Sequence, residues 1–82
     1  MAKLFARVTV YTKNGHHYVD YHPIDQRAVD IEKAIQNIFE GMEKIIKNGG
    51  LLTMAAENVF IGINGSEIES FKVELQSKND QT

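Results

Sequence analysis

From Leu4 to Lys13 the chain alternates residue by residue. Leu4, Ala6, Val8, Val10 and Thr12 fall on one side, and Phe5, Arg7, Thr9, Tyr11 and Lys13 on the other. A period of two is the signature of a strand. Asn14-Gly15 follows, a pair that tolerates the positive φ of a type I′ turn, so the segment up to His22 reads as a β-hairpin. A two-residue turn at that point sets the register, with Tyr11 opposite Tyr18, Val10 opposite Val19 and Arg7 opposite His22. One face then carries Leu4, Ala6, Val8, Val10, Val19 and Tyr21, and the other carries Phe5, Arg7, Thr9, Tyr11, Tyr18, Asp20 and His22.

Beyond Pro23, which cannot donate to a ladder and is expected to end the second strand, the period changes to that of a helix. Asp25 is the expected N-cap, and the helix is expected from about Gln26 to Asn48. Its apolar positions Ala28, Ile31, Ile35, Ile38, Met42 and Ile45 recur at spacings of three and four. Glu40 with Lys44, and Glu43 with Lys47, stand four apart with the acid first, which supports a solvated opposite face. Asn48-Gly49-Gly50 supplies the stop.

The remainder is again strand-like. Leu51 to Met54 forms a short run, Val59 to Ile63 a second, and Glu69 to Gln76 a third with Phe71, Val73 and Leu75 in alternation. Asn64-Gly65 is a turn signal between the last two, and pairing across it sets Ile61 opposite Ile68, or Ile63 opposite Ile68 with Phe60 opposite Phe71. Either way both faces are apolar. The expected architecture is therefore a single α+β domain over residues 1–76, with a disordered polar tail at 77–82. Its order is ββαβββ: a β-hairpin, one long helix, then two or three antiparallel strands, forming one sheet with the helix on one face. A single helix covers a single face, so the other is expected to meet a further copy of the chain, and a homodimer or higher homo-oligomer follows.

Composition narrows the function more than it names it. With 82 residues there is one modest core and little stability in reserve. The absence of cysteine removes disulfides and thiolate metal sites. Arg7 interrupts any signal-like apolar run near the start, and no apolar run approaches the roughly 20 residues that span a bilayer, so a cytoplasmic chain without membrane contact is expected. The net charge is -2, mildly basic before Pro23 and acidic after Leu51. Three basic residues scattered over a hairpin are too few to release the counterions of a duplex, and nucleic acid is not an expected partner.

His16, His17, His22 and Asp20 are the obvious metal candidates, but neighbouring strand residues point to opposite faces and no third ligand closes the set; no metal and no cofactor are expected. No nucleophile, base and orienter lie together, and the glycines of Gly62 to Gly65 precede no helix, so no catalytic residue is assigned and a non-enzymatic protein is expected. The outer hairpin face is the candidate binding surface. Arg7, Tyr11, Tyr18, Asp20 and His22 combine aromatic and charged groups in the manner of interaction hot spots. The expected function is a small protein-interaction module or inhibitor, a form that phage-encoded proteins blocking a host system also take. The alternative is a sequestering protein that holds a small nucleotide-like ligand at a subunit interface, stacked on tyrosine and arginine.

Overall fold

The structure, a computed structural model, describes residues 2–25, 30–56 and 58–79. Strand β1 (Ala2–Thr12) and β2 (His17–Ile24) form the hairpin; α1 (Ile31–Lys47) follows, then β3 (Leu51–Ala56), β4 (Val59–Asn64), a 3-10 turn (Gly65–Glu67) and β5 (Ile68–Asn79). The α+β class and the ββαβββ order are those the hydrophobic pattern predicts. The strands divide, however, between two antiparallel sheets, a 3-stranded one ordered β2-β1-β5 and a 2-stranded one of β3 and β4.

The first hairpin closes later than Asn14-Gly15 suggests. The Thr12 amide donates to the His16 carbonyl at 2.9 Å, while the Thr12 hydroxyl accepts from the His16 amide at 3.2 Å and donates to the side chain of Asn14. This clasp leaves Lys13 to His16 outside the ladder and slips the register by one residue, placing Tyr11 opposite His17 and Val10 opposite Tyr18. A slip of one turns every β2 side chain to the other face. Tyr18, Asp20, His22 and Ile24 consequently share the side of Val8 and Val10, whereas Val19 and Tyr21 join Thr9 and Arg7. Pro23 does not end β2 but sits inside it, opposite Phe5, which an edge strand permits.

Helix α1 begins at Ile31, later than the expected Gln26, and its cap is Asp30 in place of Asp25: Asp30 is extended and its Oδ1 accepts from the Lys33 amide at 3.1 Å, while 26–29 lie outside the described residues. At the other end Gly49 takes φ 66, donating to the Ile46 carbonyl at 3.2 Å, and Gly50 donates to the Ile45 carbonyl at 2.9 Å. That crossed pair is a Schellman motif, and a side chain at Gly49 would strain it.

Neither pairing expected across Asn64-Gly65 occurs. Gly65 opens the 3-10 turn instead, with its amide on the Gly50 carbonyl at 2.8 Å, and β5 leaves β4 to pair along the whole of β1, from Thr12↔Ile68, across a register shift at Glu69, to Ala2↔Asn79. Residues 77–79, expected to be a disordered tail, are the end of this strand, where Ser77 faces Leu4; 80–82 lie outside the described residues. The core forms where helix and second sheet both close on one face of the first. Val8 and Val10 meet Met42, Leu52, Met54, Ile63 and Ile68, with Tyr18, Ile38, Ile45, Ile61, Phe71 and Val73 packed around them. Ile61 and Ile63 therefore enter the same core as Phe71 and Val73, and the opposed phases of β4 and β5 are reconciled within one chain.

Candidate functional site

The register slip separates the five residues that the sequence groups together. Arg7 and Tyr11 lie on the outer face of the larger sheet; Tyr18, Asp20 and His22 lie on the inner face, beside the helix and β3. Tyr18 packs against the core cluster.

On the outer face the aromatic neighbours are new. Phe5 and Tyr21 meet edge to face with centroids 6.4 Å apart, and Tyr11 lies over His17 at 6.2 Å. Between them run Arg7, opposite both Tyr21 and Glu74, and Thr9, only 3% exposed. The Arg7 Nε and Thr9 Oγ1 atoms are buried without a hydrogen-bond partner. Such groups are uncommon in folded proteins.

On the inner face Asp20 is the organising residue. Its Oδ1 accepts from the Tyr21 amide at 2.8 Å and its Oδ2 from the Ala55 amide at 3.3 Å, with His22 Nε2 3.7 Å from the same Oδ2. The pair stands at the mouth of a cavity of about 200 Å³, walled by Val8, Ile38, Met42, Leu52 and Met54 and rimmed by Asn37. A larger concavity of about 640 Å³ runs along Asn37, Glu40, Glu43, Lys44 and Lys47. It follows the solvent-facing side of a single helix, so it is an open surface with nothing to enclose a ligand. Among the described residues no three His, Cys, Asp or Glu side chains converge as a metal site, and no helix is long and apolar enough to cross a membrane.

A third surface went unread in the sequence. On β3 and β4 the residues Leu52, Met54 and Ile63 turn inward, and the alternate set turns out. Phe60 is 87% exposed and Leu51, on the same face, 59%. Leu51 lies beside Gly62 on this face, where a Cβ on the glycine would make ordinary van der Waals contact with the Leu51 side chain. The chain has no significant match among protein-family models, curated proteins or solved structures.

Proposed function

We propose that the protein is a binding protein without chemistry of its own, which associates with further copies of itself and meets another protein through open sheet surface. One observation carries this reading: after the helix and the second sheet have closed the core, Phe60, Leu51 and Leu75 remain 87%, 59% and 52% exposed. A single exposed leucine is ordinary on any protein. A phenylalanine ring almost wholly in water, held on a paired strand with a leucine on its face, loses about 1.5–3 kcal/mol that burial against a partner would recover. Aromatic anchors of this kind dominate protein interfaces. The small-ligand reading has less support, since a cavity of about 200 Å³ falls below the roughly 300–1,000 Å³ of ordinary ligand pockets and is too small for a nucleotide.

The test replaces Phe60 with serine. Phe60→Ser is expected to keep the circular dichroism spectrum and cooperative melt of the parent, because the ring packs on little. Used as bait beside the wild type, it is expected to lose the protein that the wild type retains at fixed stoichiometry. Equal retention by both baits would remove Phe60 from the interface. Light scattering of the wild type at micromolar concentration is expected to give at least twice the chain mass.

A further inference from the structure

The two edges of the larger sheet are unlike. Strand β2 carries Pro23, which removes a donor, and turns Asp20 toward the Ala55 amide of β3. Proline on an edge strand discourages pairing with another chain. Strand β5 runs for 12 residues, Ile68–Asn79, with β1 on one side and, among the described residues, no strand on the other. Beyond the register shift at Glu69, a long open edge of this kind is a template for a further strand.

Its side chains specify which strand. On the inner face Phe71 and Val73 are half-buried and Leu75 is 52% exposed; Phe39 of the helix, itself 42% exposed, lies over Phe71 with centroids 4.7 Å apart. On the outer face Lys72 and Glu74 stand half in solvent with Nζ and Oε1 3.5 Å apart. Antiparallel pairing of two β5 strands about a two-fold axis at Val73 sets Lys72 opposite Glu74, Phe71 opposite Leu75 and Ser70 opposite Gln76, each twice. Sliding the axis to residue 72 sets Lys72 against Lys72, and sliding it to residue 74 sets Glu74 against Glu74. Like charges directly opposite are destabilising and unlike charges favourable, so of these three registers the charges favour the one that also covers Leu75 with the second copy's Phe71.

Given that the protein works as an assembly of copies, the reading proposed above, we infer that β5 is the homodimer interface. Two chains join edge to edge about Val73 into one continuous sheet with both helices on the same face. The contact is isologous and closes on itself, so association stops at the pair.

Charge exchange tests it. Lys72→Glu sets Glu against Glu74 across the axis, and Glu74→Lys sets Lys against Lys72. Each variant alone is expected to dimerise roughly tenfold or more weaker than wild type in sedimentation velocity, since two attractive cross-strand pairs become repulsive. An equimolar mixture is expected to recover the dimer, because every cross-strand pair is then of opposite sign, whereas neither chain regains its internal Lys72–Glu74 contact. The chain has no cysteine, so Val73→Cys introduces a single thiol at the axis and is expected to cross-link on oxidation. Ser70→Cys, facing Gln76, is expected not to. A wild-type oligomer that survives both charge variants, with no cross-link at position 73, would overturn the β5 interface and leave assembly standing. A wild type that stays monomeric at high concentration would overturn assembly itself, and β5 pairing with it.

Discussion

One carboxylate reaches across the gap between the two sheets: Asp20 on β2 accepts from Ala55 on β3 as well as from its own neighbour, Tyr21. Hydrogen bonds to a charged acceptor contribute more than neutral ones, yet this one lies near solvent. Asp20→Ala is therefore expected to cost about 1–2 kcal/mol in urea melts and to speed hydrogen exchange at the Ala55 amide. Unchanged exchange there would show that the clasp carries no load. The residues buried in the core behave differently. Met42→Ala empties a site bounded by both sheets and is expected to cost about 2–5 kcal/mol, while Glu40→Ala, on the solvated side of the same helix, is expected to be nearly silent. The charge and aromatic character of Arg7, Tyr11, Tyr18, Asp20 and His22 is legible in the sequence, but their common face is not. The hydrophobic pattern favours the neighbouring register, which turns Val19 and Tyr21 inward and Tyr18, Asp20 and His22 outward, so it points to the wrong face of β2. The structure closes the hairpin over a three-residue loop, with Gly15 at φ 88 donating to the Thr12 carbonyl and the Thr12 hydroxyl bonded to Asn14 and His16, and a threonine two residues before an Asn-Gly pair carries no sign of that wider turn.

Among the elements, the helix is the most readable because three independent signals agree on it: apolar spacing, acid-first ion pairs and the glycine stop. Its start is less so, since Asp25 and Asp30 have the same capping chemistry. The connection after β4 misleads for a related reason. Asn64-Gly65 has the residues of a hairpin turn, but Gly65 is required by something the local sequence does not contain, the backbone of the helix end. A Cβ on Gly65 would stand 3.0 Å from Ile46 Cα, 3.1 Å from the Ile45 carbonyl oxygen and 3.2 Å from that of Gly50. Backbone atoms cannot step aside as a side-chain tip can. Gly65→Ala is accordingly expected to destabilise by about 1–3 kcal/mol, the range for overpacking, whereas Gly41→Ala, with open space around it, is expected to be neutral or mildly stabilising in the same thermal melts.

Over the whole molecule, the division of the strands into two sheets answers the mismatch that the apolar pattern raises. The β3–β4 pair supplies the cover that one helix lacks, at the cost of leaving its own outer face, with Phe60 and Leu51, in water. Element order alone does not distinguish this arrangement from a single sheet, because β4 and β5 are adjacent in sequence and each has strand periodicity. Their separation is a long-range outcome. So is the pairing of β1, which lies between β2, its neighbour in the chain, and β5, with Ala2 set against Asn79. A ribosome delivers β1 and β2 before α1, β3 and β4, and β5 only after these. Until β5 emerges, one side of β1 is a row of unfilled amides and carbonyls beside Val8 and Val10, residues that end up at the centre of the core. Closing so long a loop is entropically costly and slow compared with zipping a hairpin. During synthesis the nascent chain must keep that gap open for β5, against every other strand in the cell that would fit it.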